Sequence, residues 1–410
     1  GTNNTIIPWI VFLLSISIVL ISFVSVIFPA LILSSDTIRI PGIESVAPDP
    51  FETGVWSGGV IATSIIIFGI ALLHYKKKIE PLSKLFEKVF SFEISKKVSI
   101  ITMIALLTIY ISFSAGELAI SENTPDYIEV KKRLDEAIRD NRFTIEDAIS
   151  GNSNYPTFEP HVKYTLLLIS EKIFGNYNVI AFLASIALLI VTYLITVTIT
   201  QKRFAGIVAT IIILQSSVFL TYDTSIAYTN FWILFYLVSL YAVYRFWSLS
   251  PVAYLLSIPA KVLTAAFMPM SIYFILRSNI SKKKKIIISI ITAGIILAGG
   301  IAMMGGSVTQ GTEEKFDVKE FQMGFTSFAF QLRSDGLVML FMIPLIVGLF
   351  IVSKKGVKHG ESMMVFISGM LLIAPIITGL TSQTNQPYRF VPLVVFFAIG
   401  VGVLLSKRQV

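Results

Sequence analysis

Residues 178–200 read NVIAFLASIALLIVTYLITVTIT, a run without a single Asp, Glu, Lys or Arg. A helix needs roughly 20 apolar residues to cross a bilayer, because the hydrocarbon core is about 30 Å thick and each residue rises about 1.5 Å. Comparable apolar runs recur along the chain, its mean hydropathy is +0.78 and only 14% of its residues are charged. The sequence therefore predicts an all-α, polytopic integral membrane protein.

We predict about twelve membrane helices. Two of them come from the stretch 251–277, which Pro259 and Lys261 interrupt, so we expect two short helices that enter and leave through one face. The other ten are the apolar runs 8–34, 57–75, 98–115, 178–200, 204–221, 230–247, 283–304, 335–353, 362–380 and 388–405. Both ends of the chain then lie on the inner side.

The distribution of charge supports this topology, because short cytoplasmic loops collect Lys and Arg. With these spans, well over half of the 33 Lys and Arg but few of the 25 Asp and Glu fall on the inner side. The excess that gives the net charge of +8 then faces anionic lipid headgroups. Membrane lipids are therefore expected partners, and nucleic acid is not.

The pattern divides the chain into two parts. Residues 1–97 contain two membrane helices and a basic segment in which Leu82, Leu85, Phe86 and Val89 recur at helical spacing. We expect this segment to be a helix on the inner membrane surface, the alternative being a solvated connector. Residues 98–410 hold one membrane helix, a long outer loop and many closely spaced helices. Partners in a membrane complex, if any, are expected at residues 1–97.

The outer loop, residues 116–177, is expected to carry two amphipathic helices. The first opens at Asn123-Thr-Pro-Asp-Tyr127, where Thr124 can cap, Pro125 suits the first turn and Asp126 complements the helix dipole. Its apolar stripe fits the outer membrane surface. The second covers 162–173 and ends at Phe174-Gly175, with Gly175 as the expected C-cap.

Ionisable residues at a membrane boundary are costly unless they are paired or functional. Five positions at the outer boundary qualify: Glu117, Asp126, Asp223, Lys261 and Arg389. A carboxylate there can accept a proton from an attacking hydroxyl, while Lys and Arg can hold a phosphate that departs with negative charge. The planar fork of Arg389 matches two phosphate oxygens, and Lys261 supplies a point charge.

Each of these residues also has a purely structural interpretation. Asp126 can be an acid that stabilises the first turn of its helix. Lys261 can extend its side chain to the headgroups, and Arg389 can anchor the interface beside Tyr388. Glu117, Glu122, Asp223 and His161 fit plain loop, turn or surface positions better than a functional role.

The sequence indicates no metal centre and no cofactor. It contains no cysteine, which excludes disulfides, thiol catalysis and Cys-ligated metals. The three histidines (His74, His161 and His359) are too scattered for a His-rich site. A divalent metal is compatible with the expected chemistry but is not indicated.

Four motifs between residues 98 and 405 follow one another in a recognisable order. They are Glu122-Asn-Thr-Pro-Asp-Tyr127, the run from Phe158-Glu-Pro-His-Val-Lys-Tyr164 to Phe174-Gly175, Lys261 at the bend of the short helix pair, and Tyr388-Arg-Phe-Val-Pro392. Together they resemble the GT-C superfamily of polyprenyl-phosphate-sugar-dependent glycosyltransferases, particularly the protein mannosyltransferase and aminoarabinose transferase branch. The family usually has adjacent acids a few residues before the Tyr, whereas here the acids stand at 122 and 126.

The resemblance implies a GT-C-like membrane core in a cell-membrane protein whose active site opens to the outer face. The implied reaction moves a sugar from a polyprenyl- or dolichyl-phosphate carrier to a hydroxyl of a protein, lipid or glycan, with inversion by direct displacement. Asp126 is the expected general base, with Glu117 and Glu122 as alternatives, while Lys261 and Arg389 hold the phosphate. The remaining substrate-binding candidates are Tyr127, Asp223, His161 and Tyr388.

Two other functions remain open. A lipid or solute transporter needs polar or broken-helix sites near the middle of the bilayer, yet the spans 98–115, 178–200 and 204–221 contain no charged residue, and the span 283–304 contains charged residues only in its first turn. A non-catalytic subunit of a larger membrane complex agrees with the unusual acidic motif and with the additional helix pair in residues 1–97.

Overall fold

The computed structural model describes residues 6–32, 49–140, 161–307, 315–381 and 387–407, without the side chains of Pro125, His161, Val262 and residues 300–307. All regular elements of these residues are helices, and they contain no strand. The α-helices are α1 (Ile6–Ile27), α2 (Ser57–Tyr75), α3 (Glu80–Ser91), α4 (Lys96–Ser114), α5 (Pro125–Arg139), α6 (His161–Phe174), α7 (Asn178–Thr200), α8 (Arg203–Leu214), α9 (Ser217–Tyr222), α10 (Phe231–Arg245), α11 (Ser250–Ala260), α12 (Met268–Arg277), α13 (Lys282–Ser307), α14 (Val318–Leu332), α15 (Gly336–Lys354), α16 (Lys358–Thr381) and α17 (Val391–Leu404). Short 3-10 helices lie at Ala115–Ala119, Trp247–Leu249, Val262–Phe267 and Pro387–Phe390.

Seven of the described helical segments are long and apolar enough to cross a membrane. They are α1, α2, α4 with the 3-10 helix after it, α7, α15, α16 and α17 with the 3-10 helix before it. Helices α8 and α10 and the segment Leu263–Arg277 are apolar but shorter. The prediction of an all-α polytopic membrane protein is confirmed to this extent, and the number of twelve membrane helices stays a prediction.

The chain forms two compact units. We call residues 93–215 with 219–309 the central unit, and residues 1–92, 216–218 and 310–410 the terminal unit. Helices α1 to α3 therefore share a unit with the C-terminal helices. The division into residues 1–97 and 98–410 rests on the motifs and stays a prediction.

In the central unit, α7 packs against α8 and α10, α4 packs against α8, and α6 packs against α7 and α11. Its elements begin and end where the sequence favours it. Ser95 caps α4 by accepting a hydrogen bond from the backbone N of Val98 at 3.2 Å. Gly175 ends α6 with a φ of 65°, which confirms the predicted C-cap.

The predicted break at Lys261 is confirmed as well. Helix α11 ends at Ala260, and Lys261 is extended, with a φ of −160°. The 3-10 helix that follows leads into α12. The side chain of Lys261 therefore stands at a bend between two helical segments.

One expected span differs from the structure, and one connection between expected spans contains a further helix. The expected span 204–221 is interrupted after Leu214, because the hydroxyl of Ser216 donates to the carboxylate of Asp335 at 2.6 Å and that of Ser217 to the carbonyl of Ser334 at 2.5 Å. The segment 305–334, which lies between two of the expected spans, contains α14. This helix packs against α1 and α16 so closely that a Cβ on Gly324 would lie 2.6 Å from the Cα of Pro375.

The basic segment after α2 is helical, as predicted: α3 covers Glu80–Ser91. None of its residues is buried, and Leu85 and Val89 are among its exposed apolar side chains. The apolar stripe of α5, in contrast to that of α3, is buried. Val130, Leu134 and Ala137 are buried, and α5 packs against α6, so protein covers a stripe that we expected to face the membrane surface.

Candidate functional site

The polar centre of the central unit is the connection between α9 and α10, residues 223–230, which we call loop 223–230. Asp223, Ser225, Ile226 and Asn230 are each 3% exposed or less. A buried loop must find hydrogen-bond partners for its backbone, because an unpaired buried N–H or C=O costs as much as a lost hydrogen bond. The partners of this loop come largely from the segments that the sequence singled out.

Glu122 holds the middle of the loop. One of its carboxylate oxygens accepts a hydrogen bond from the hydroxyl of Ser225 at 2.8 Å, and the other accepts one from the backbone N–H of Ile226. The Ser225 hydroxyl in turn accepts a bond from the backbone N of Tyr228 at 2.9 Å. Because both of its oxygens accept bonds from the loop, Glu122 acts as an anchor and is poorly placed to collect a proton from substrate.

Asp126 lies at the edge of the loop. Its Oδ2 accepts a hydrogen bond from the phenol of Tyr228 at 2.6 Å, and its side chain is exposed. The ring of Tyr228 packs edge-on against that of Tyr222, with 5.5 Å between the centroids. Tyr127, the next residue of α5, is half-buried. Of the three acids predicted as base, Asp126 is therefore exposed and yet held in a defined orientation.

Thr124 occupies the N-cap position of α5 as predicted, and Pro125 follows it in the first turn. The Thr124 side chain makes no capping hydrogen bond, however, and its hydroxyl oxygen is buried without a partner among the described residues. The backbone thus defines the start of the helix, and the expected capping bond is absent there.

Asp223 and Glu117 form a pair of carboxyl groups at the start of the loop. The phenol of Tyr110 donates to Oδ2 of Asp223 at 2.8 Å, and the hydroxyl of Thr224 donates to Glu117 at 3.2 Å. Burial raises the pKa of Asp223 to about 7; the negative charge of Glu117 adds to the rise, and hydrogen bonds from Tyr110 and Ser114 oppose it. Asp223 is therefore a buried, proton-holding group beside the exposed Glu117.

Helices α6 and α7 complete the support of the loop. The Asn178 amide donates to the carbonyl of Thr224 at 2.8 Å, and the Ser185 hydroxyl donates to the carbonyl of Asp223 at 2.6 Å. The ammonium group of Lys163 donates to the carbonyl of Ala227. We did not predict a role for Lys163, although it lies inside the quoted motif that ends at Tyr164.

Lys261 belongs to the same end of the central unit. Its ammonium group lies 5.7 Å from the ring centroid of Trp232, which is 2% exposed and follows Asn230 by two residues. A cation over an indole ring is attracted by the negative face of the ring. The structure thus brings Glu117, Glu122, Asp126, Asp223 and Lys261 to one end of this unit.

Arg389 and Tyr388 belong to the terminal unit, in the 3-10 helix before α17. Within the described residues, the Nε and Nη1 atoms of Arg389 are buried and have no hydrogen-bond partner. The guanidinium lies 5.9 Å from the ring centroid of Tyr388. Buried guanidinium donors without partners are costly, and an anionic ligand would satisfy them.

The other predicted residues are placed as follows. His161 is the first residue of α6, and its side chain lies outside the described residues, as do Phe158, Glu159 and Pro160 of the same motif. In the part of the chain that the structure describes, no group of three or more His, Cys, Asp or Glu could hold a metal ion.

The arrangement combines fixed exposed carboxylates with a half-buried cation at one end of a helical, membrane-type unit. Comparisons of the chain with protein-family models, with curated protein sequences and with solved structures found no match. The resemblance to the GT-C superfamily therefore remains a prediction from the motifs.

Proposed function

We propose that this protein is a membrane glycosyltransferase that takes a sugar from a polyprenyl- or dolichyl-phosphate carrier at the outer face of the membrane. The observation that carries the proposal is the convergence of Glu117, Glu122 and Asp126 on loop 223–230; these acids lie between the end of α4 and the first turn of α5. These residues lie more than 100 positions before the loop in the sequence.

In the proposed reaction, the hydroxyl oxygen of the acceptor attacks the anomeric carbon of the sugar. Its proton passes to the carboxylate of Asp126, and the bond from the anomeric carbon to the phosphate oxygen breaks, so that polyprenyl phosphate leaves with the bonding electrons. The configuration of the sugar inverts. Asp126 suits the task because it is exposed and oriented by Tyr228, whereas both oxygens of Glu122 are engaged.

Each unit supplies one candidate cation for the phosphate of the carrier, and the variants below test the two separately. Lys261 supplies a point charge at the same end of the unit as the acids, and the buried, unsatisfied donors of Arg389 match phosphate oxygens. With a polyprenyl-phosphate sugar as donor, Lys261→Ala or Arg389→Ala should weaken binding or turnover by about 1.5–3 kcal/mol each. Arg389→Lys is the matched control that keeps the charge and loses the fork. Full activity in both alanine variants, or direct use of a nucleotide sugar, contradicts this assignment.

The decisive test is Asp126→Asn. The amide keeps the size of the side chain and can still accept the Tyr228 hydroxyl, but it cannot take a proton. We expect release of polyprenyl phosphate to fall about 10²–10⁴-fold with little change in thermal stability. Asp140→Asn, at the other end of α5, is the control and should retain the activity of the parent protein.

A non-catalytic membrane subunit is the second candidate, because Glu122 and Asp126 both hold loop 223–230 as structural anchors do. If Asp126→Asn retains turnover while Glu117→Gln abolishes it, the base is Glu117 and the enzyme proposal stands. If Asp126→Asn, Glu117→Gln and Glu122→Gln all leave a measured activity intact, the chemistry lies elsewhere and the subunit proposal is the better one.

A further inference from the structure

A second surface of the protein, in the terminal unit, is unrelated to the acids of loop 223–230. Helix α2 has the smallest buried share among the candidate membrane spans, 11%, and only Ser57 and Val60 of its residues are buried. It packs against α15 and touches α3. Most of its length is therefore not covered by other described residues of the protein.

An apolar groove of about 480 Å³ runs along α2 where it meets α15. It is lined by Ile61, Ile65, Phe68 and Leu72 of α2 and by Ile343 of α15. Gly69 widens it, because a Cβ on this residue would meet no atom within 4 Å. The volume is within the range of about 300–1,000 Å³ that small-molecule sites usually have.

Three consecutive lysines follow the groove residues of α2 in the sequence. Positions 61, 65, 68 and 72 share one face of the helix, and position 76 is the next on that face. Lys76 still belongs to this turn, since its backbone N bonds to the carbonyl of Leu72 at 2.9 Å. Lys76, Lys77 and Lys78 thus stand one helical turn beyond the last apolar residue of the groove.

The turn that carries these lysines is unusual. Lys77 has a φ of 53°, the left-handed conformation that glycine normally supplies at the end of a helix. The backbone N of Lys78 closes the turn by bonding to the carbonyl of Leu73 at 3.0 Å. A lysine at this position costs conformational energy, which suggests that its charge has a function there.

Helix α3 lies beside this turn. The ring of His74 and the hydroxyl of Ser83 lie 2.6 Å apart, which ties α3 to the end of α2. Its apolar residues Leu85 and Val89 are 53% and 42% exposed, and Lys84 and Lys88 lie among them in the sequence. Such a helix suits the headgroup layer of a membrane, into which its apolar face can sink.

We propose that α2, α15 and the turn Lys76–Lys78 form a binding site for an anionic phospholipid. One acyl chain lies in the groove, and the headgroup phosphate meets the lysines. Charge complementarity selects this occupant, because three adjacent cations terminate an otherwise apolar groove. A partner transmembrane helix is a poorer fit, since such interfaces favour small residues and this face carries Ile61, Ile65, Phe68 and Leu72.

The test uses the purified full-length protein and native mass spectrometry, with phosphatidylglycerol and phosphatidylcholine of identical acyl chains. We expect the protein to retain phosphatidylglycerol at least about tenfold more tightly, because each lysine near an anionic headgroup contributes to affinity. The triple variant Lys76→Gln, Lys77→Gln, Lys78→Gln should lose this preference. The matched control changes Lys282, Lys283 and Lys284 to Gln, a lysine run of the other unit, and should keep it.

Gly69→Leu tests the groove separately, because it fills open space without a clash. We expect it to reduce the retention of both lipids at unchanged thermal stability. Equal retention of the two lipids by the parent protein overturns the proposal. So does a preference that survives the triple variant, or a second polypeptide that occupies α2 and excludes lipid.

Discussion

The carboxylates of Glu93 and Asp223 lie near opposite ends of α4, and they differ in burial and in hydrogen-bond partners. Near the beginning of α4, Glu93 accepts bonds from the backbone N atoms of Arg203 at 3.1 Å and Phe204 at 3.0 Å, which form the first turn of α8. Near the end of α4, Asp223 is buried and bonded to Tyr110. One acid caps a helix in water, and the other is enclosed by protein.

The pKa values of the two acids shift in opposite directions. For Glu93, burial alone would raise the pKa, but the backbone N–H groups of Phe204, Ile94 and Arg203 and the charge of Arg203 lower it overall. For Asp223, burial and the charge of Glu117 outweigh the hydrogen bonds that Tyr110 and Ser114 offer. The difference teaches that donors to an exposed carboxylate favour its charge, whereas enclosure favours its proton even when donors are present.

The largest expected effect concerns Asp223 and pH. Between pH 3.8 and about 7 the folded protein holds a proton on Asp223 that the unfolded chain has released. The unfolded state then binds fewer protons, so the free energy of unfolding should fall as the pH rises through this window, by at most about 4 kcal/mol. Asp223→Asn should remove this dependence and raise the thermal midpoint at pH 8 above that of the parent protein.

Thermal unfolding in detergent at several pH values between 5 and 8 measures this effect. Asp140→Asn, which changes an exposed acid directly after α5, is the control and should keep the slope of the parent protein. Identical slopes for the parent protein and Asp223→Asn would show that Asp223 does not hold the proton.

Glu122→Gln should have the next largest effect. The amide offers one acceptor where the carboxylate offers two, so either Ser225 or the backbone N–H of Ile226 loses a charge-assisted bond inside the protein. We expect a loss of about 1–3 kcal/mol in the free energy of unfolding at neutral pH. Glu129→Gln, which disturbs only an exposed pair with Arg133, should cost much less. Equal losses in the two variants would mean that loop 223–230 does not depend on its anchor.

Glu93→Gln should have the smallest effect of the three. Its carboxylate caps α8 from outside the helix and is largely exposed, so after solvent screening we expect a loss of about 0.5–1 kcal/mol near pH 7. Because the pKa of Glu93 is lowered on folding, this stabilisation should disappear as the pH falls through the lowered pKa. The difference in midpoint between the parent protein and Glu93→Gln should therefore shrink on acidification, opposite in sign to the Asp223 effect. A difference that grows on acidification would contradict the capping role.

The sequence was sufficient to predict those helices and helix ends that depend on neighbouring residues alone. Apolar runs, Gly175 after α6 and the Lys261 break are local signals, and the structure agrees with them. The interruption after Leu214 was not foreseeable, because it depends on bonds from Ser216 and Ser217 to residues more than 100 positions away. Helix α14 was missed for a similar reason, since its buried face is defined by α1 and α16.

The candidate site, too, could be predicted where it depends on local signals and not where it depends on long-range contacts. Ionisable residues beside apolar runs could be picked out from the sequence, and Glu117, Glu122, Asp126 and Asp223 do meet in the central unit. The separate role of each acid could not be predicted from the sequence, because its anchoring, exposure or burial depends on contacts with loop 223–230. An apolar stripe such as that of α5 likewise looks the same in sequence whether lipid or protein covers it.

The pairing of Glu122 with Ser225 also determines when this region can form during synthesis. The two residues are 103 positions apart. At a synthesis rate of about 5–20 residues per second, Ser225 is made roughly 5–20 s after Glu122. Throughout that interval the carboxylate of Glu122 has only water and mobile chain as partners. A ribosome stalled before residue 225 would therefore display α5 without its loop, and a protease that cuts near residue 122 should distinguish such a nascent chain from the finished protein.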